Sequence, residues 1–216
     1  DAVFKRSLLE FSAGKSHTSS EAAKMTYDFN NGSGKYDELN DSLTNDFENN
    51  YGFTNAGVRL RTQKKKYSYA VGLSWQQAEL EGKVITGIKD SVISKDFINL
   101  LPSARFQYNF TRHKNLTVNY RSYTTQPSAS QLQPVPDISD RLNIRDGNPD
   151  LKQEYTHHVE INYMGVNPFK NKNLFTFFSL SKTDNKIVDA DTLYSSGVRK
   201  TRPVNVDGVY NLSGDI

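Results

Sequence analysis

A strict alternation of side chains runs through residues 67–75, and it limits the backbone there to an extended strand. One face of that strand carries rings and aliphatic groups, namely Tyr67, Tyr69, Val71, Leu73 and Trp75. The opposite face carries small or polar groups, namely Ser68, Ala70, Gly72 and Ser74. Such a strand suits a sheet that has lipid on one side and water or a polar plug on the other.

Residues 98–110 repeat this alternation over a longer stretch. The apolar positions are Ile98, Leu100, Pro102, Ala104, Phe106, Tyr108 and Phe110. The positions between them include Arg105 and three amides, namely Asn99, Gln107 and Asn109. Burial of these groups without hydrogen-bond partners would be costly, so the second face is not expected to be a dry protein core.

The composition fits a membrane barrel, although 36% apolar and 24% charged residues would also fit a soluble all-β protein. Half of each barrel strand is polar, so a barrel needs no long apolar run, and this sequence has none of the length that a membrane helix requires. The 12 Tyr, 12 Phe and 1 Trp are typical of chains whose rings pack on sheets or lie at lipid interfaces.

Eight segments have the pattern of strands, and most approach or exceed the roughly 9–11 residues that cross a bilayer when tilted. They are Phe4 to Ser16, Tyr51 to Arg61, Tyr67 to Leu80, Ile98 to Phe110, Leu116 to Thr125, Glu154 to Val166, Leu174 to Lys186 and Gly197 to Tyr210. The sequence therefore predicts an all-β fold, an antiparallel up-and-down meander of about eight long strands that forms part of a transmembrane β-barrel. The stretch Leu174 to Leu180 carries apolar residues on both faces, so its outward side stays undecided.

The connections between these segments alternate in length. Short connections follow the second, fourth and sixth segments, at residues 63–66, 111–115 and 168–173. Long connections lie between them, near residues 17–50, 81–97, 126–153 and 187–196. Long structureless loops are uncommon in compact soluble domains, whereas barrels of the outer membrane have short periplasmic turns and long external loops.

Several short motifs follow one another in a familiar order. They are Leu100-Leu101-Pro102-Ser103-Ala104-Arg105, then Gln126-Pro127-Ser128, then Gln131-Leu132-Gln133-Pro134, and then Gly147-Asn148-Pro149-Asp150-Leu151-Lys152 before Glu154-Tyr155. This series resembles the barrel region of Bacteroidetes outer-membrane receptors of the TonB-dependent type. The departures are Gln133, where Asn is common, and Gln153, where proline is usual. Residues 51–80 and 203–214 are also similar to this family, so the resemblance covers most of the chain.

The resemblance implies a 22-stranded barrel that is plugged by an N-terminal domain and imports a scarce extracellular nutrient with energy transmitted by TonB. Residues 1–216 would then be a partial outer-membrane β-barrel domain, a piece of a longer protein without the plug and the closing strands. The implied partners are outer-membrane lipid, TonB, the plug domain and an unidentified nutrient, and the implied location is the bacterial outer membrane.

Three charged residues on the predicted polar faces are candidates for contact with a plug or a passing ligand. They are Arg105, Arg121 and Glu160. Ordinary ion pairing along the wall would explain the same residues equally well.

Other kinds of site find little support in the sequence. His157 and His158 would point to opposite faces of a strand, and the aspartates near residues 137–150 and 184–191 do not fit a calcium loop, so we expect no metal site. The sequence has no cysteine and no Gly-x-Ser-x-Gly motif, and we expect neither catalysis nor a cofactor. The basic clusters Lys64 to Lys66 and Arg112 to Lys114 lie between predicted strands. We therefore interpret them as solvated turns and expect no nucleic-acid binding.

Two other architectures remain open from the sequence. The apolar faces could pack on a second sheet in a soluble extracellular β-sandwich, such as an adhesin or a carbohydrate-binding module. Alternatively, eight strands could close into a complete small barrel, with the first strand paired to the last.

Overall fold

The computed structural model describes residues 7–41, 43–86, 91–132, 136–138, 140–167, 169 and 171–216, almost all of which lie in or between β-strands. The strands are β1 (Ser7–Lys24), β2 (Tyr27–Asn30), β3 (Lys35–Leu39), β4 (Asn45–Gln63), β5 (Tyr67–Thr86), β6 (Ser91–Thr111), β7 (Lys114–Thr125), β8 (Asn143–Arg145), β9 (Glu154–Asn167), β10 (Lys172–Asp184), β11 (Lys186–Leu193), β12 (Arg199–Val206) and β13 (Val209–Asp215). A single helical turn, α1 (Ala129–Leu132), lies between β7 and β8. Within the described ranges, no helix has the length and apolar content needed to cross a membrane.

Eight of these strands form one sheet, which we call the wall. Its order is β1-β4-β5-β6-β7-β9-β10-β13, and every neighbouring pair is antiparallel. The predicted antiparallel meander of eight long strands is therefore confirmed. The alternative of a complete small barrel does not fit, because β1 and β13 lie at opposite edges of the sheet instead of pairing with each other.

The last predicted strand, Gly197 to Tyr210, is wrong in its extent. The chain turns at Gly208, whose φ of +69° lies in the left-handed region that glycine adopts most readily. The turn divides the segment into β12, which lies outside the wall, and β13, which is the eighth strand of the wall. The residues at the start of the first predicted strand, before Ser7, lie outside the described part of the chain.

Three of the predicted long loops are largely strand. Residues 17–24 and 45–50 extend β1 and β4, and residues 81–86 and 91–97 extend β5 and β6. Residues 187–193 of the third loop belong to β11, which lies outside the wall. The strands of the wall are therefore longer than the alternation of apolar residues indicates. They are longer because the apolar and the polar face of each strand exchange places along its length.

The outward face of the wall carries the apolar series of the sequence. Val71, Leu73, Trp75 and Phe106 are 57%, 46%, 38% and 41% exposed. A large exposed apolar surface of this kind marks contact with lipid or with another protein. The soluble sandwich is wrong, because these side chains stay exposed instead of packing on a second sheet.

The orientation of β10, which the sequence left undecided, is resolved by its pairing with β9. Phe178 and Leu180 lie opposite the outward Ile161 and Val159 and therefore face outward as well.

Aromatic rings mark both margins of the outward apolar band. Tyr67, Tyr108 and Tyr163 lie in neighbouring strands at the end where the turns are short. Trp75 and Tyr155 lie at the end where the connections are long, and the Tyr155 hydroxyl donates a hydrogen bond to the Leu100 carbonyl beside Trp75. From Tyr67 to Trp75 the strand rises about 26 Å at roughly 3.3 Å per residue, close to the height of the apolar band of outer-membrane barrels.

Beyond Trp75 the two faces exchange their character. The outward positions of β5 become polar or charged, namely Gln77, Glu79, Glu81 and Lys83. The inward positions become apolar and buried, namely Ala78 and Leu80. Together with Phe47, Tyr51, Leu132 and Leu151 they form the buried core of the described chain. The upper part of the wall therefore has the pattern of a water-soluble sheet, with its core on the inward side.

The long connections build a second layer at this end of the wall. β11 and β12 pair as a hairpin, and β8, which belongs to a different connection, joins β12 in parallel to make a three-stranded sheet. The hairpin of β2 and β3 stands apart from it, with Phe29 and Tyr36 in edge-to-face contact.

Candidate ligand-facing site on the inward face of the wall

The three charged residues selected from the sequence lie together on the inward face of the wall. Arg105 of β6 is opposite Asn119 of β7, and Asn119 is opposite Glu160 of β9. Arg121 is two residues beyond Asn119 in β7 and therefore lies on the same face. Arg105, Arg121 and Glu160 line a single groove of about 360 Å³. The sequence therefore placed all three on the correct face, and the sheet brings them side by side.

Glu160 is the acceptor at one end of this groove. His158 Nε2 lies 2.8 Å from Glu160 Oε1, and Arg121 Nη2 lies 4.0 Å from the same oxygen. The guanidinium of Arg121 also lies over the ring of Tyr123, with 5.7 Å between Cζ and the ring centroid. These contacts fix Glu160 and Arg121, so the more available hydrogen-bond donor in the groove is Arg105.

Two further arginines on the inward face escaped the sequence analysis. Arg59 and Arg61 of β4 line a second groove of about 320 Å³, which also includes Arg105 and Glu10. The signal was present in the sequence, because Arg59 and Arg61 alternate with Val58 and Leu60 as polar and apolar positions do in a barrel strand.

Small residues of β5 separate the arginines of β4 from Arg105 of β6. Ala70 lies between Arg61 and Arg105 in the register, and Gly72 lies between Arg59 and Ser103. A Cβ atom at Gly72 would lie 2.9 Å from Ser103 Oγ and 3.3 Å from the Val58 carbonyl oxygen, so the wall has little room for a side chain there. The result is a shallow depression on the inward face that is surrounded by guanidinium groups.

The adjacent histidines face opposite ways, as the alternation predicts. His158 faces inward and contacts Glu160, whereas His157 faces outward, where its Nδ1 lies 2.8 Å from the Tyr120 hydroxyl. Within the residues that the structure describes, no group of three or more His, Asp or Glu side chains is placed to hold a metal ion.

The loop aspartates take part in ion pairs. Asp137 pairs with Lys24 at 2.8 Å, Asp146 pairs with Lys200 at 2.9 Å, and Asp191 pairs with Arg199. The first two pairs tie the connection 126–153 to β1 and β12, and the third ties β11 to β12, so these carboxylates are not gathered around a common point.

The chain matches the model of the outer membrane protein beta-barrel family over residues 4–216. It belongs to this family. The outward band is therefore the surface that spans the outer membrane, and by the usual asymmetry of these barrels the long connections lie outside the cell.

Two solved receptor structures are similar to this chain. The hemophore receptor HasR of Serratia marcescens, solved with its hemophore HasA and heme, aligns with a TM-score of 0.57 and 14% identity over 97% of this chain and 40% of that chain. The siderophore receptor PirA of Pseudomonas aeruginosa aligns with a TM-score of 0.42 and 12% identity over 98% of this chain and 50% of that chain. The chain thus spans about half or less of the length of these receptors. No curated protein matches it.

The Gly-Asn-Pro segment of the barrel protein, residues 147–154, joins the extracellular layer to the wall. On the wall side, the Lys95 ammonium donates to the Leu151 carbonyl at 2.7 Å, and Asn99 donates to Gln153 at 2.9 Å. On the side of the layer, the Lys152 amide donates to Asn205 at 2.8 Å, and Lys186 pairs with Glu154 at 2.9 Å. The segment is therefore held from both sides.

We expect Gln153→Ala to destabilise this junction by about 1–3 kcal/mol, because the buried Tyr51 hydroxyl and the half-buried Asn99 amide would lose their partner. Gln153 accepts a hydrogen bond from Asn99 and donates one to the Tyr51 hydroxyl at 3.1 Å, and Tyr51 is buried enough that its pKa is raised above the usual value. Chemical unfolding of Gln153→Ala, Tyr51→Phe and the double variant measures the coupling between the two side chains. Strictly additive losses would contradict the hydrogen bond.

We expect the β11–β12 hairpin to loosen in acid. The Arg199 guanidinium and the Thr201 hydroxyl hold the pKa of Asp191 below its usual value of 3.8. Because the folded pKa is the lower one, the stabilisation is complete above the unfolded value and is lost as the pH falls through the folded pKa. Hydrogen exchange of the β11 and β12 amides, corrected for intrinsic rates, should show this loss of protection. Asp191→Asn should remove the pH dependence, and an unchanged profile in that variant would contradict the assignment.

Proposed function

We propose that this chain is part of the barrel wall of a TonB-dependent receptor that binds an extracellular nutrient and imports it through a plugged barrel. In this proposal residues 1–216 are a partial barrel domain, and the receptor also has a plug domain, further strands that close the barrel, and TonB as its energy-transmitting partner. The chain's function is binding and transport, without covalent chemistry.

The observation that carries the proposal is the pair of opposite faces at membrane depth. The outward face at Val71 is apolar, while Arg105, Arg121 and Glu160 face inward on neighbouring strands. Charged groups within a membrane protein are costly unless they meet water, a ligand or a protein partner, and they commonly mark a transport path. The shared fold with the HasR barrel supports the same architecture.

In the proposed mechanism, the nutrient first binds to the extracellular layer, and the plug that fills the barrel then moves to admit it. The segment 147–154 is anchored to both the wall and the β11–β12 hairpin, so it positions the layer. Initial capture would then fall to exposed parts of the long connections, and Arg105, Arg121 and Glu160 would contact the plug or the passing nutrient through charge and hydrogen bonds.

The test uses the complete receptor in its native host, with and without the receptor gene and with and without functional TonB. Mass spectrometry of the growth medium identifies compounds whose depletion requires both genes. At least one such compound is expected. Depletion that needs the receptor but proceeds equally without TonB would indicate a passive channel, and depletion that needs neither gene would overturn import altogether.

A second arm tests the inward residues. Arg105→Gln and Arg121→Gln should slow the depletion of that compound at unchanged receptor abundance. Arg112→Gln, in the exposed turn between β6 and β7, removes the same charge outside the barrel interior and should have no effect. Equal rates in all three variants would remove the inward arginines from the proposed path.

A further inference from the structure

The inward face at mid-membrane depth carries more cationic than anionic groups. Two adjacent rows of the register hold the charged residues: one row contains Arg61, Arg105 and Glu160, and the next contains Glu10, Arg59, Arg121 and His158. The rows thus hold four arginines against two glutamates. One of those glutamates, Glu160, is already bound by His158 and lies near Arg121.

Three of the four guanidinium groups have no ion pair on the wall itself. None of the ion pairs in the described part of the chain involves Arg59, Arg61 or Arg105. Glu10 lies directly across from Arg59 in the register but does not come within ion-pair distance. Arginines that face the interior of a membrane protein without a counter-ion are solvated by water or bind an anion from elsewhere.

The shape of the surface between them suits a small anion. Arg59, Ala70 and Arg105 line both inward grooves, so the two grooves meet at Ala70. Arg61 and Arg105 are two strands apart, which separates their backbones by about 10 Å. Ala70 and Gly72 keep the floor between them low. Guanidinium groups from opposite sides can therefore converge on one group above that floor.

We infer that this depression, bounded by Arg59, Arg61 and Arg105 above Ala70 and Gly72, binds a carboxylate or phosphate group. The planar guanidinium fork matches the geometry of both groups and binds them through two parallel hydrogen bonds. Two sources can supply the anion: a diffusing anionic ligand, or a carboxylate side chain of the receptor's own plug.

The inference deepens the proposed function, because it assigns a ligand chemistry to the inward face of the same wall. Its tests do not depend on TonB or on uptake, however. A protein that transported nothing could still bind an anion here, and a transporter could still fail to do so, so the two proposals can fail separately.

The first experiment measures binding of citrate and of inorganic phosphate to the complete receptor in detergent by isothermal titration calorimetry. If the anion is a diffusing ligand, at least one probe binds, and the double variant Arg61→Gln/Arg105→Gln weakens that binding about tenfold or more, since hydrogen bonds to charged groups are lost. Arg105→Lys keeps the charge without the fork and should give an intermediate affinity. Arg112→Gln is the matched control and should bind as the unaltered receptor does. Binding that the double variant leaves unchanged would occur elsewhere on the receptor and would overturn the diffusing ligand as the source of the anion.

The second experiment addresses a carboxylate from the plug. Phenylglyoxal modifies accessible arginines, and peptide mass spectrometry reports the rate at each position in the complete receptor without added anion. A plug carboxylate predicts slow modification of Arg59, Arg61 and Arg105 relative to Arg112, together with a melting temperature that Arg105→Gln lowers and Arg112→Gln does not. Slow modification of these three arginines without a change in melting temperature would mean that the plug covers them but supplies no anion. If neither citrate nor phosphate binds either, that result would overturn the inference. Modification as fast as at Arg112 that neither citrate nor phosphate slows would also overturn it.

Discussion

Arginine in place of Val71 is expected to reduce the folding free energy of the receptor in a bilayer by about 2–4 kcal/mol. Val71 lies midway along the outward band, two positions from Leu73 and four from the marginal Tyr67 and Trp75, and it is 57% exposed. A guanidinium there would have to remain in hydrocarbon or distort the bilayer around it. The measurement is reversible unfolding in phospholipid vesicles, followed by tryptophan fluorescence, to which Trp75 in the outward band contributes.

Two further variants show whether the cost depends on the face and on the depth. Gln107→Arg places the same side chain on the inward face and should cost much less than Val71→Arg. Tyr108→Arg is outward but lies in the aromatic margin beside Tyr67, so its cost should fall between the two. Equal losses for Val71→Arg and Gln107→Arg would contradict the assignment of the lipid-facing side.

Removal of the Leu151 side chain beyond Cβ should destabilise the extracellular layer by about 2–5 kcal/mol, the usual range for a fully buried leucine. Leu151 has no exposed surface, and it packs with Leu132 from α1 in the core above the membrane. Its carbonyl also accepts the hydrogen bond from Lys95. Leu151→Ala would leave a cavity at the point where the layer meets the wall.

Hydrogen exchange across residues 126–153, together with chemical unfolding, measures this effect. Leu142→Ala is the matched control, because Leu142 belongs to the same connection but is 60% exposed. We expect Leu151→Ala to speed exchange in the connection and Leu142→Ala to leave it unchanged. If the two variants exchange alike, residues 126–153 are not held by this core, and the extracellular layer is not anchored as described.

The faces of the strands were predictable from the sequence, because alternation in a strand has a period of two and needs no information from neighbours. The outward positions of β5 and the inward Arg105, Arg121 and Glu160 follow directly from that rule. Arg59 and Arg61 follow from the same rule, because they alternate with Val58 and Leu60 within the predicted strand Tyr51 to Arg61.

The full length of the strands was not predictable in the same way. The predicted strand ends at Leu80, because the outward residues after Trp75 are no longer apolar. In the structure β5 continues to Thr86. Above the membrane the solvent on the outward side is water, so the same backbone needs the opposite pattern. A rule that assumes one environment along a strand therefore stops at the bilayer margin.

The sequence by itself determined the strand periodicity and the lipid-facing side of the strands whose two faces differ, such as β5 and β6. Only the tertiary structure decided that β12 leaves the wall to pair with β8, that residues 147–154 lock the layer to Tyr51 and Lys95, and that four arginines from three strands share one surface. The physical reason is that periodicity is a property of neighbouring residues in the chain. Register and loop docking depend on contacts between residues far apart in sequence, and many pairings satisfy the local pattern equally well.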